Sequence, residues 1–273
     1  MKALNPDIKI SFRIALLFFC RIFGLISLLP IILVQVTHMP SYTPLRGALA
    51  IGSYGFVQAL MQIPLGYLSD RYGRKSIIFL GLTFMFLGTL LGFFAKSITT
   101  LILARCLQGF GAIGSTCLAL LFDFISYEYR SIAMLIVGVM IGLSFFSSMI
   151  IGSWINAIFG LKGVFLLSLL FIFFAFLNAI KIFKQYSQKE TCLKPYMQIA
   201  SKSFISLFEN KKFVFCLISV FVLHAFFARH FSKIASFIGN NQLNITWSLT
   251  CVSLLAVLIS FMILGKFRNK ENV

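Results

Sequence analysis

Gly66-Tyr67-Leu68-Ser69-Asp70-Arg71-Tyr72-Gly73-Arg74-Lys75 crowds four charges and two glycines into ten residues. Long apolar runs flank it, in a chain of 273 residues that is 59% hydrophobic and only 11% charged. A charged side chain costs at least about 2.5–3.5 kcal/mol at the centre of a bilayer, and exposed loop backbone is not tolerated in hydrocarbon. The knot therefore reads as a short loop at a membrane surface, joining two membrane-spanning helices.

The rest of the composition agrees. The chain holds 33 phenylalanines, and a soluble domain of this length has no interior large enough for so much apolar surface. The class is an all-α polytopic membrane protein. A formal charge of +17 invites a nucleic-acid reading, but the basic residues are spread through short inter-helix segments and no basic domain stands apart. They are expected to set membrane topology. The six cysteines form no C-x-x-C pair and five lie in apolar runs, so neither a disulfide framework nor a metal site is expected. No cofactor is implied. The first apolar run, from Arg13 to Val36, is too long for the core of a secretory signal and reads as an uncleaved span.

Hydropathy predicts eight spans at about 13–36, 47–68, 76–95, 98–122, 131–154, 162–183, 213–231 and 245–265. Arg229, His230 and Lys233 crowd the end of the seventh. With the N-terminus inside, seventeen Lys and Arg fall in inside segments and five in outside ones, which favours both termini in the cytoplasm. The expected organisation is a six-helix bundle over 1–183, a basic cytoplasmic linker over 184–212 and a partial second bundle over 213–273. Within the linker, Ser203 to Phe208 reads either as a short amphipathic helix on the membrane or as a solvated tether, and its lysines are candidates for anionic lipid headgroups.

Small residues mark expected close helix contacts: Gly88 and Gly92 in the third span, Gly109 in the fourth, Gly138, Gly142 and Gly152 in the fifth. The sixth span is bulky, with Phe165, Phe171, Phe173, Phe174 and Phe176, and is expected to face lipid.

No carboxylate falls deep in any predicted span; Asp70 and Asp123 sit at inner helix ends. Two arginines do lie within spans. Arg21 is about 12 Å into the first helix, and Arg105 is a similar distance into the fourth from the other side. Each faces either a watery cavity or a set of backbone carbonyls and glutamines that bind it as packing glue. His224, inside the seventh predicted span, reads either as a proton-coupling group, the role imidazoles commonly take, or as a hydrogen-bonded packing residue. No nucleophile–base pair or metal cluster suggests an enzyme.

The spacing G-x-x-x-D-R-x-G-R-[RK] from Gly66 to Lys75 resembles the loop between the second and third helices of major facilitator transporters. Arg105-Cys106-Leu107-Gln108-Gly109 is similar to the R-x-x-Q-G element of their fourth helix. Arg21-x-x-Gly24 followed by Pro30 resembles one bacterial subgroup, the YajR-like carriers, which group with drug/proton antiporters. The likeness is clearest from about Ser11 to Lys184 and continues weakly past His224 and Trp247. It implies two helical bundles rocking around a midplane site, a small organic substrate and exchange against protons. It also implies a conformational latch from Gly66, Asp70, Arg71, Gly73, Arg74 and Lys75, with Asp123 within reach of Arg74. Arg105 and Gln108, with Arg21, become cavity or proton-coupling candidates. The fifth span departs from the antiporter pattern, since Gly152 is followed by Ser153 where that pattern has proline.

Twelve spans make a complete carrier of that family, and eight are predicted here. Two readings follow: a bacterial cytoplasmic-membrane transporter that needs a second copy or a further piece, or a truncated, non-transporting protein that serves as a membrane-embedded interaction partner. Self-association is compatible with both.

Overall fold

Asn5 and Pro6 start the first helix. The Asn5 side chain accepts from the Asp7 amide at 3.0 Å, and Pro6 occupies a first-turn position that needs no N–H. The computed structural model describes residues 5–186 and Val214. The predicted seventh span apart from Val214, the eighth span, nearly all of the linker, and His224 lie outside the described residues.

Helix α1 (Pro6–Ile26) stops because Pro30 has no N–H to offer the Ile26 carbonyl. Ser27 and Leu28 keep right-handed helical dihedrals, and α2 (Leu29–Gln35) follows, so that Pro6–Ile32 forms one apolar crossing. Thr43 caps α3 (Pro44–Tyr72), its hydroxyl accepting from the Arg46 amide at 3.2 Å. Helix α3 ends at Gly73, whose φ of 89° and ψ of 146° suit a residue with no Cβ, and α4 (Arg74–Phe93) begins at the next residue. The charged knot is thus the corner between two long helices. Ser97 caps α5 (Ile98–Gly109), and after a short break α6 (Gly114–Phe124) completes the crossing Ile98–Phe124.

Helix α7 (Arg130–Tyr186) has 57 residues. Straight, it would reach about 86 Å, nearly three times a bilayer core of about 30 Å. It breaks at Gly160, where φ is 66° and ψ is −168°. The chain doubles back there. A Cβ placed on Gly163 would lie 3.2 Å from the side chain of Ile155, eight residues earlier. The two limbs, 130–159 and 161–186, run antiparallel and clasp α1. Ser144 donates to the Phe19 carbonyl at 2.9 Å, and a Cβ on Gly152 would lie 2.9 Å from the Ser27 carbonyl, so the first limb ascends with α1. Asn178 donates to the Arg13 carbonyl at 2.7 Å, and the Ser27 and Ser168 hydroxyls are 3.3 Å apart, so the second limb descends. Five apolar stretches are long enough to cross, and the last folds into two, matching the first six predicted spans. The first helix begins at Pro6 rather than near residue 13, because the Asn5 cap extends it past Lys9 and Arg13 at the surface.

Alternation of the crossings puts the start of α1, the knot, the end of α6 and the start of α7 on one face of the molecule. A hydrogen bond from the Ser126 amide to Asp7 Oδ2 at 3.2 Å ties two of these together. One apolar cluster fills this half, including Ile14, Leu82, Leu121 and Ala179. Another fills the half toward the opposite face, including Ile32, Leu101, Val164 and Phe165. Buried polar side chains lie between them.

The glycines divide. A Cβ on Gly88 would sit 2.6 Å from the Gln108 backbone nitrogen, one on Gly109 2.8 Å from the Tyr54 carbonyl, and one on Gly92 2.3 Å from the Phe165 ring. Gly138 is exposed with nothing within 4 Å, so the contact expected there is not made; it lies on the side of the first limb turned away from α1. Gly142 is half-buried. The sixth span is also corrected. Phe173 and Phe174 are exposed, but Phe165 is buried and Phe171 stacks on Phe23 at 3.8 Å, because this limb covers α1 on one side and faces outward on the other.

Candidate functional site

Arg74 gathers three elements at the knot. As the first residue of α4, it points its guanidinium back to the last turn of α3 and across to the end of α6. Its Nε donates to Asp123 Oδ2 at 3.1 Å, and its Nη1 to Ser69 Oγ at 2.7 Å and to Asp70 Oδ1. Ser69 Oγ donates to the Gly66 carbonyl at 2.7 Å. Both ion pairs among the described residues converge on this one arginine. The Asp123 pair is the more shielded, with side chains 16% and 22% exposed against 56% for Asp70. Asp70, in the last turn of α3, reaches the first residue of α4, where the helix dipole favours a negative charge. Arg71 and Lys75 are exposed; the Arg71 guanidinium lies 5.5 Å from the Tyr72 ring centroid. Gly66, at the start of the knot, makes no tight helix approach. A Cβ there would meet Ser115 Oγ at 3.7 Å, an ordinary contact, because α6 stands off from α3 at this level.

The second constellation lies between the two apolar clusters. Arg21, 5% exposed, donates from Nη2 to Gln58 Oε1 and to the Gly111 carbonyl, both at 3.3 Å. The same Gln58 oxygen accepts from the Tyr54 hydroxyl. The Tyr54 ring faces the guanidinium of Arg105, 4.8 Å from its centroid. Arg105, 1% exposed, donates from Nη1 to Gln108 Oε1 at 2.7 Å. Gln108 passes a hydrogen bond to Thr89 Oγ1 at 2.8 Å, and Thr89 to the Met85 carbonyl at 2.7 Å. One polar path therefore joins α1, α3, α5 and α4. Close packing at Gly88 holds α4 near enough to α5 for Thr89 to meet Gln108.

No carboxylate among the described residues enters this layer; Asp7, Asp70, Asp123 and Glu128 all lie at helix ends on the face of the knot. Both guanidiniums are held by neutral acceptors and a π face, which solvate a cation without cancelling its charge. The Nε of each is buried without a hydrogen-bond partner. The carbonyl and glutamine contacts are those of packing glue, and each guanidinium keeps one N–H that is both unpartnered and sealed from solvent.

Tyr54, Gln58 and Thr89 were not singled out from sequence. The signal was there: Tyr54, Gln58 and Gln62 recur at a four-residue spacing, a polar stripe on one face of an otherwise apolar α3.

Residues 12–272 match the Major Facilitator Superfamily. An uncharacterized transporter of Buchnera aphidicola subsp. Schizaphis graminum is 34% identical over 225 residues, covering 82% of this chain and 57% of that protein. Another, from Buchnera aphidicola subsp. Acyrthosiphon pisum, is 30% identical over 263 residues, covering 96% of this chain and 66% of that protein. The inner membrane transport protein YajR of Escherichia coli strain K12 is 35% identical over 157 residues, 58% of this chain and 35% of YajR. The chain therefore spans less than two thirds of the length of these relatives. With nearly its whole length matched, and with apolar helices that cross a bilayer, this integral membrane protein belongs to the major facilitator superfamily.

Proposed function

We propose that this protein acts as a secondary active transporter of a small organic molecule in a bacterial inner membrane, by alternating access and with proton coupling. The observation that carries the reading is Arg74, which holds Ser69 and Asp70 of α3 and Asp123 of α6 at one face in a chain of a carrier family. Such partly exposed pairs contribute about 0–1 kcal/mol each, weak enough to break and re-form as a carrier changes state. The two buried arginines, with no carboxylate partner among the described residues, favour a polar or anionic cargo. Proton coupling rests on the family resemblance and on His224. The basic bias supports termini on the cytoplasmic side. Residues 1–183 would then form one bundle, 184–212 a cytoplasmic linker, and 213–273 part of a second bundle.

Reconstitution into proteoliposomes tests the reading. Dilution into a panel of organic anions, cations and neutral compounds should give compound-dependent proton movement reported by a trapped pH dye, and Arg74→Ala should reduce it at least tenfold. Proton flux that no compound evokes would sink the transporter reading. It would leave a second one, a membrane-embedded interaction protein, which the near-complete burial of Arg21 and Arg105 favours because packed arginines serve structure alone.

A further inference from the structure

A cleft of 830 Å³ opens on the outside of the molecule between α4 and the second limb of α7. Phe86 and Phe93 line one wall, and Leu166, Leu170 and Phe173 the other. Among the described residues, Lys162 is its one charged lining residue. From Lys162 to Phe173 the limb rises about 16 Å at 1.5 Å per residue, close to half of a hydrocarbon core of about 30 Å. The cleft is thus as deep as one leaflet.

Its charged end lies at a membrane edge. Lys162 stands two residues past the reversal at Gly160, where the chain turns back into the bilayer. Lys162 lines the cleft and is exposed, and a long lysine stem on an apolar wall lets the ammonium reach the interface. Lys96, exposed, follows three residues after Phe93 at the same edge. Trp154 and Phe159 are exposed near it, as aromatic residues are at headgroup level. All four described carboxylates lie on the opposite face, so among the described residues this rim is positive without internal compensation.

We propose that the cleft seats one anionic phospholipid, with an acyl chain between α4 and the second limb of α7 and its phosphate at Lys162. Lipid tails alone would fill any outward apolar cleft; an uncompensated lysine at its mouth selects the headgroup.

Native mass spectrometry of the full chain, from micelles holding equal phosphatidylglycerol and phosphatidylcholine, tests this. Wild type should retain one lipid, with phosphatidylglycerol preferred about fivefold, the factor one basic side chain contributes near a membrane surface. Lys162→Gln should keep a lipid but bring the preference close to one. Leu170→Trp should narrow the cleft beside α4 and weaken retention of the lipid. A retained lipid whose headgroup ratio is the same in wild type and Lys162→Gln would overturn the proposal, and so would no retained lipid in wild type. A photoreactive label on Leu170→Cys that captures a protein segment instead of lipid would overturn it too. Should Leu170→Trp fail to fold, the Lys162→Gln ratio still decides.

Discussion

Gln58 accepts from Tyr54 and from Arg21 on the same oxygen, and with the Tyr54 ring against Arg105 it links the two buried cations. Gln58→Leu should leave an arginine N–H and a phenol without their acceptor and cost about 1–3 kcal/mol, read as a lower thermal unfolding midpoint in detergent. Gln58→Glu should cost less or stabilise, since it places a carboxylate beside an uncompensated guanidinium. An equal loss in both variants would show that the neutral amide itself is required, since glutamate keeps both the shape and the acceptor oxygen. At the knot the expectation is reversed. Asp123→Asn removes a partly exposed pair and should change stability by under about 1 kcal/mol, while altering transport rate in the proteoliposome assay. Equal losses of stability and rate would mark Asp123 as structural only.

Elements meet where glycine leaves room for backbone. Gly88→Val would drive side-chain atoms into the Gln108 backbone and should destabilise by about 1–3 kcal/mol or more, with Thr89 pulled from Gln108. Gly160→Ala is roomy but sits at φ 66° and ψ −168°, a region essentially reserved for glycine, so its cost of about 1–3 kcal/mol should come from backbone strain alone. Thermal unfolding of the two variants side by side separates steric from conformational cost. These elements also show how far sequence reasoning reaches. Six crossings were legible, because each is an apolar run bounded by charge, proline or glycine. The facing of the last limb was not. Phe171 and Phe173 are alike in hydropathy, and in lipid no polarity contrast separates a helix-facing side from a lipid-facing one. Arg105 and Gln108 were legible because polar groups are rare in spans. Tyr54 and Gln58 were harder, since each alone is unremarkable and only their spacing on α3 joins them.

Across the whole molecule, the charged knot and the rim at Lys96 and Lys162 lie on opposite membrane faces. With cytoplasmic termini, Lys96→Cys in a cysteine-free background should react with an impermeant maleimide applied to intact cells, and Arg71→Cys only after permeabilisation. The reverse pattern would invert the proposed topology.

The clasp of α7 around α1 also sets an order of events at synthesis. Arg13 meets Asn178 after 165 further residues and Phe19 meets Ser144 after 125. At about 5–20 residues per second, α1 waits about 8–33 s for its last neighbour. Its charged group waits less, because Gln58 follows Arg21 by 37 residues. The nascent helix thus meets a partner for its costly arginine early, while its apolar sides, which acyl chains cover as well as protein does, are enclosed last.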